Sequence, residues 1–198
     1  MSLKPSKGEF LDILLRSPLT IFSTKDAALL WRETNASLVS DRLKSYVRAG
    51  KLVRVRRGLY AKNENYNRLE LAGRMYTPAY ISFETVLTKE GVVFQYYGNI
   101  FVASYVTRQI AVNGQTITFI RMKDYVLRNT AGIFHTDGVA IATKERAFLD
   151  RLYISKEYHF DNLDSLDWSK VFALVSLYKN RRLEKKVQEY YKLLDVEK

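Results

Sequence analysis

A chain of 198 residues that is 47% hydrophobic and 13% aromatic holds enough apolar material to bury a core, which excludes global disorder and allows one large domain or two small ones. It contains no cysteine, which removes disulfides, thiolate catalysis and Cys-ligated metal. The formal net charge of +11 is unevenly spread, with 13 Lys and Arg against 5 Asp and Glu in residues 1–62 and 19 against 16 in residues 63–198, an asymmetry that suggests a nucleic-acid module joined to a near-neutral remainder.

Taken in chain order, Phe10, Ile13 and Leu14 at i, i+3, i+4 predict a short amphipathic helix over 9–16, closed by Ser17-Pro18. Residues 19–22 read as a brief extended stretch. Ser23 with Asp26 three residues later has capping-box spacing and opens a second helix that buries Ala27, Leu30 and Trp31. After a turn at Glu33-Thr34-Asn35, a third helix is predicted over 36–49. Ala36, Val39, Leu43, Tyr46 and Val47 share one side of it, and Ser37, Asp41, Lys44, Ser45 and Arg48 the other. Leu38 lies off the buried stripe, placed to meet a thymine methyl or a neighbouring element. The helix stops at Gly50. KLVRVRRGLYAK, residues 51–62, then alternates Val53 and Val55 with Arg54 and Arg56, reverses at Gly58 and returns through Leu59-Tyr60-Ala61.

A helix running into a short basic hairpin is the pattern of a winged helix-turn-helix, in which the helix enters a DNA groove and the wing cations reach phosphate or the minor groove. The candidate contacts to double-stranded DNA follow from it. Asn35 caps the helix or touches phosphate. Ser37, Lys44 and Arg48 read base edges or clamp phosphates, with Ser45 on the same face. Asp41, also there, repels phosphate unless it accepts from a cytosine amine or pairs with Lys44. Arg54, Arg56 and Arg57 form the wing and supply salt-dependent phosphate binding. The plainer alternative is a small helical domain with a solvated basic face; the hairpin, its arginines and the charge asymmetry favour DNA.

The polar run 62–67, KNENYN, is the best boundary, giving domains 1–66 and 67–198. A linking helix is expected over 68–75, stopped by Thr77-Pro78. Strand 79–81 follows, and Ser82 is expected to cap a helix over 83–90 that ends at Gly91. A strand over 100–107 precedes two strands, 109–112 and 115–121, joined by Asn113-Gly114, a strong hairpin signal. Strand 138–142 leads to Thr143, which caps a helix over 144–154 that buries Phe148, Leu149 and Leu152. After an acidic loop come amphipathic helices over 168–178 and 182–194. The expected fold class is α+β, an N-terminal winged helix-turn-helix followed by a mixed α/β C-terminal domain ending in a helical pair.

The second region holds several polar clusters of types that can carry chemistry. Asp161, Asp164 and Asp167 are spaced by three, as carboxylate ligands of a divalent cation can be, but the last lies just before a helix and capping explains it better. Glu184-Lys185-Lys186 has the E-x-K spacing of metal-dependent nucleases, yet falls on the polar face of a helix. Arg146 and Asp150, four apart, read as an ordinary surface salt bridge or, with Glu145 and Arg151, as a contact surface. His135 and His159 have no second ligand at metal spacing, and neither a nucleophile elbow nor a phosphate-cradling glycine loop occurs. Tyr96, Tyr97, Phe101, Tyr105 and Phe119 could stack on single-stranded RNA bases, or simply fill the core beside their strands. No catalytic residue, cofactor or metal is assigned, and the chain is expected not to be an enzyme. With no membrane-length apolar run and no signal-peptide core in MSLKPSKGEF, a cytoplasmic protein without a membrane partner is expected.

RLKSYVRAGKLVRVRRGLY (42–60) resembles the N-terminal domain of the AbiEi-type (type IV) antitoxin family. AYISFETVL (79–87), VTRQ (106–109) and GVAIATKERAFLDRLY (138–153) are similar too, and in the same order, with the ATKERAFLD segment the most telling. The resemblance implies a bipartite transcriptional regulator. Its winged helix would repress its own operon at upstream repeats, and its C-terminal domain would support neutralisation of a nucleotidyltransferase toxin without a stable toxin complex. Two alternatives stand beside it: a stand-alone regulator with no toxin, and a metal-dependent nuclease targeted by a winged helix.

Overall fold

A computed structural model describes residues 8–155 and 157–196, and their contacts divide the chain after Met75, into Met1–Met75 and Tyr76–Lys198. Both units mix helices with sheet, an α+β fold.

In the first unit, α1 (Glu9–Arg16), α2 (Thr24–Trp31) and α3 (Ala36–Arg48) surround a core of Phe10, Leu14, Phe22, Ala27, Trp31, Val39 and Leu43. Trp31 is its centre: the indole N–H donates to the Phe10 carbonyl at 2.7 Å, and the two rings meet edge to face at 5.4 Å. A buried indole donor needs such a partner. Ser23 caps α2 through the reciprocal bonds expected of a capping box with Asp26. Leu30 is only half-buried, and Ala36, assigned to the buried stripe of α3, is exposed, because the first turn of that helix projects beyond the core.

Strands β1 (Ile21–Ser23), β2 (Val53–Arg56) and β3 (Leu59–Ala61) form an antiparallel sheet in the order β1-β3-β2. The hairpin therefore belongs to a sheet, with the fully buried β3 between its neighbours. Helix α4 (Arg68–Met75) is clasped to this unit and does not act as a free linker. Its buried Glu70 accepts from the Thr20 amide at 2.9 Å and hydroxyl at 2.6 Å, and Arg74 bridges Glu70 (3.0 Å) and Asp26 (2.8 Å). The polar run before it does local work, since Asn67 Oδ1 accepts from the amides of Leu69 and Glu70 as an N-cap does.

The second unit is built on β4 (Ala79–Ile81), β5 (Asn99–Ser104), β6 (Arg108–Val112), β7 (Gln115–Arg121), β8 (Ile133–Thr136) and β9 (Val139–Ala142), in the sheet order β6-β7-β5-β4-β9-β8 among the described residues. β5 with β7 and β4 with β9 are parallel, and the other neighbours antiparallel. Strand β8 has no counterpart among the strands expected from the sequence. It pairs with β9 across Asp137-Gly138, both at positive φ (48° and 75°), the backbone that a two-residue hairpin turn demands. Helices α5 (Glu84–Lys89), α6 (Asp124–Leu127), α7 (Lys144–Ile154), α8 (Trp168–Val175) and α9 (Arg181–Val196) complete the unit, with a short 3₁₀ turn at Ser176–Tyr178.

Two expectations fail here for one reason. Ser82 does not cap α5; its hydroxyl donates to Asp150 Oδ2 at 2.7 Å. Arg146 and Asp150 are not a surface pair, for both are 0% exposed. Asp150 Oδ1 accepts from the hydroxyls of Tyr178 (2.7 Å) and Tyr80 (3.1 Å) and lies 3.5 Å from Arg146 Nε. Arg146 also donates to the carbonyls of Val126 (2.7 Å) and Ala131 (2.9 Å) and to the Tyr80 oxygen (3.2 Å). The pair thus ties α7 to β4, to α6 and its following loop, and to the 3₁₀ turn. Burial pushes the Asp150 carboxyl up from its ordinary value, and Arg146 pulls it back.

Candidate nucleic-acid interface

The α3 face assigned to DNA forms because the helix is amphipathic and only its Val39–Leu43 side is covered. Asn35 is the N-cap: Oδ1 accepts from the amides of Ser37 (3.0 Å) and Leu38 (3.3 Å). Ser37, Asp41, Lys44, Ser45 and Arg48 are all exposed, and Leu38 stands beside them, 52% exposed. Asp41 Oδ1 holds Lys44 Nζ at 3.0 Å, one of the two roles open to that carboxylate. Both partners are solvated, so the pair opens at little cost.

Strand β2 brings Arg54 alongside this face. Lys44, Val47 and Arg48 from α3, Arg54 from β2 and Tyr60 from β3 line one hollow of about 300 Å³. Three cations separated by up to ten positions in the sequence therefore converge on one concave surface. Val47 and Tyr60 give it a partly apolar wall that charge patterning did not identify. The hairpin arginines are not equivalent. A register shift between Arg54 and Arg56 marks a bulge in β2. Arg54 and Arg57 are exposed, whereas Arg56 is half-buried with Nη1 3.7 Å from Met75 Sδ. Of the nine sequence-assigned residues, Arg56 is the one turned toward its own unit.

Other cations of this unit are engaged internally. The Arg42 guanidinium stacks 3.5 Å from the Phe10 ring centroid, and Lys62 donates to the carbonyls of Leu15 and Ser17 at the end of α1. Burial, the largest influence, raises the hydroxyl of Tyr46, whose ring packs edge-on against Trp31.

In the second unit, no group of three or more His, Asp or Glu among the described residues is arranged to hold a metal ion. Asp167 caps α8, accepting from the Lys170 amide at 3.3 Å and the Ser169 hydroxyl at 2.5 Å. Those interactions, with Lys170 Nζ 3.1 Å away, lower its carboxyl to about 2. Asp161 accepts from the Phe94 amide at 2.8 Å. Glu184 and Lys185 are exposed on α9, while Lys186 donates to the Ser155 carbonyl. Of the aromatic set, Phe119 is buried, Phe101 and Tyr97 are half-buried, and Tyr96 and Tyr105 are exposed. No helix of the described residues is long and apolar enough to cross a membrane. No protein-family model matches the chain, and no curated protein matches it.

Proposed function

We propose that the first unit is a winged helix-turn-helix that binds double-stranded DNA, and that the chain is a transcriptional repressor acting on repeats upstream of its own operon. The observation that carries this reading is the convergence of Lys44, Arg48 and Arg54 on one hollow beside the exposed polar face of α3. In this reading α3 lies in the major groove, which is about 12 Å wide and admits a helix. Ser37, Lys44, Ser45 and Arg48 then meet base edges or phosphates, and Leu38 offers an apolar contact to a thymine methyl. Arg54 and Arg57 reach the flanking backbone from the wing.

The antitoxin role rests on resemblance to the AbiEi-type family. Thr143, Arg146 and Asp150 of the ATKERAFLD segment are the cap of α7 and its buried pair. Neutralisation of a nucleotidyltransferase toxin, without a stable complex, is the function inferred from that resemblance.

Fluorescence anisotropy on the DNA immediately upstream of the gene, beside scrambled DNA at two salt concentrations, tests the first part. Selective binding that weakens with salt is expected, and Lys44→Ala is expected to narrow the gap between the two DNAs. Equal weak binding to both would overturn the repressor reading. Growth rescue on co-expression with a neighbouring nucleotidyltransferase tests the second part, and failure of rescue would leave a regulator without a toxin.

A further inference from the structure

The second unit carries a hollow of about 630 Å³ at one end of its sheet, within the size range of small-ligand sites. Two adjacent parallel strands create it. β5 and β7 run in register with Ser104 opposite Arg121, and the Met122 amide continues the ladder by donating to the Ser104 carbonyl at 2.8 Å. Residues just beyond the two carboxyl ends, Tyr105 on one side and Lys123 on the other, therefore emerge together with Arg121.

The lining is specific in its chemistry. Arg121 and Lys123 are exposed, and neither takes part in an ion pair among the described residues. Asp124, on the same wall, is offset by Arg128 at 2.8 Å. Tyr105 is 47% exposed, lines the hollow and meets the Tyr76 ring in a T-shaped contact at 6.2 Å. Tyr153 completes the lining, with the Arg182 guanidinium at its carbonyl, 3.4 Å away. Burial and the neighbouring Tyr125 push the Tyr153 hydroxyl up to about 12, so it remains a donor at any working pH.

We infer that this hollow binds a phosphorylated nucleoside, with its phosphate on Arg121 and Lys123 and its base against Tyr105. A bare inorganic anion would use the cations and leave the ring and most of the volume idle. A neutral apolar ligand would leave two cations without a counter-charge. A nucleotide satisfies both parts, since arginine and lysine bind phosphate and an aromatic face stacks on any base. The same chemistry is offered by a free nucleotide and by the terminal nucleotide of a single strand. The site lies wholly in the second unit and does not rest on the DNA-binding reading of the first.

Isothermal titration of the full-length protein with AMP, adenosine and inorganic phosphate is the test. AMP is expected to bind saturably, with adenosine and phosphate each at least tenfold weaker. Arg121→Ala and Lys123→Ala, both at exposed positions, are each expected to weaken AMP roughly tenfold, as loss of one hydrogen bond to a charged group does. Tyr105→Ala is expected to weaken AMP while leaving phosphate unchanged, and Arg54→Ala in the first unit to leave AMP binding intact. The absence of saturable AMP binding up to about 10 mM, a level that would detect even a millimolar site, overturns the inference. AMP binding that is indifferent to Arg121 and Lys123 overturns it equally. Phosphate binding as tight as AMP overturns the assignment of a nucleoside. A 5′-phosphorylated pentanucleotide, titrated into the Lys44→Ala, Arg48→Ala, Arg54→Ala variant, separates the sources. Tenfold preference for it over AMP assigns a strand end, and equal affinity assigns the free nucleotide.

Discussion

Replacing Asp150 by Ala removes the acceptor on which three hydroxyls and a guanidinium converge. Arg146 keeps its bonds to the carbonyls of Val126 and Ala131 but becomes a buried charge without a counter-charge, a change that costs about 3–5 kcal/mol. The hydroxyls of Ser82 and Tyr80 lose their acceptor as well, at up to about 1–3 kcal/mol each, while that of Tyr178 keeps the Arg146 carbonyl at 3.4 Å; these losses share one site and do not simply add. We expect a net loss of about 4 kcal/mol, a large share of the roughly 5–15 kcal/mol that holds a typical protein folded. Calorimetry should then place the transition of the second unit roughly 10–20 °C lower. Hydrogen exchange should show the loss in peptides from β4, α7 and the Ser176–Tyr178 turn. Combining Asp150→Ala with Arg146→Met, which replaces the stranded charge by apolar volume, should recover at least about 1 kcal/mol. A loss below about 1 kcal/mol for Asp150→Ala, the range of exposed ion pairs, would refute the buried-network reasoning.

Gly132 has φ +72°, and a Cβ there would sit 3.0 Å from Arg146 Cβ and 3.1 Å from a Leu174 methyl. Gly132→Ala should therefore cost about 1–3 kcal/mol in thermal melts, and an unchanged melt would show that the loop relaxes freely. The carboxyl of Asp167, held at about 2 by Ser169 and Lys170, lies below its unfolded value of about 3.9. Its contribution is therefore present above about pH 4 and lost as pH falls through about 2. Asp167→Asn, which keeps a capping oxygen that does not titrate, should flatten the acid limb of stability in that window; an identical acid limb would count against it. If the first unit binds an operator as proposed, the four exposed cations Lys44, Arg48, Arg54 and Arg57 predict a salt slope of about −3 to −4 per bound copy, and Arg54→Ala with Arg57→Ala should reduce it by about 2. A slope unchanged by that double substitution would remove the wing from the interface.

The elements that could be read from sequence are those with a one-sided environment. α3 is covered on one face only, so its 3.6-residue period separated Val39 and Leu43 from Ser37, Lys44 and Arg48 with no knowledge of the fold. Ser23 with Asp26, and Asn113-Gly114, act over a few residues and were equally legible. α7 is covered nearly all round, and periodicity carries little information there. Its apolar residues Ala147, Phe148, Leu149 and Leu152 occupy about half of the helix circumference, and the buried Glu145, Arg146 and Asp150 extend the covered surface over most of the rest. An i, i+4 pair looks the same in sequence whether it lies in water or in a core. Only Tyr80, 66 positions before Arg146, and Tyr178, 32 after it, decide the matter. The hollow beside Tyr105 and Arg121 was hidden for a similar reason, since it depends on two strands ending in register.

The charge asymmetry that first marked residues 1–62 as a nucleic-acid module overstates what that module has to offer. Arg42 braces Phe10 and Trp31, Lys62 closes the carbonyl end of α1, and Arg56 turns toward Met75. Each of these cations stabilises the unit, and none is free to meet a phosphate without giving up that role. The positive charge left on the α3 and β2 side is small in number but converges on one hollow, with an opposing carboxylate, Asp41, built into the same face. On the proposed DNA-binding reading, four phosphate contacts would give weak, general attraction, and selectivity would have to come from the short polar side chains Ser37 and Ser45, the apolar Leu38 and the opening of the Asp41–Lys44 pair. On that reading, an interface of that composition would depend on fitting a particular DNA surface more than on attracting any DNA, the balance that the proposed repressor would require.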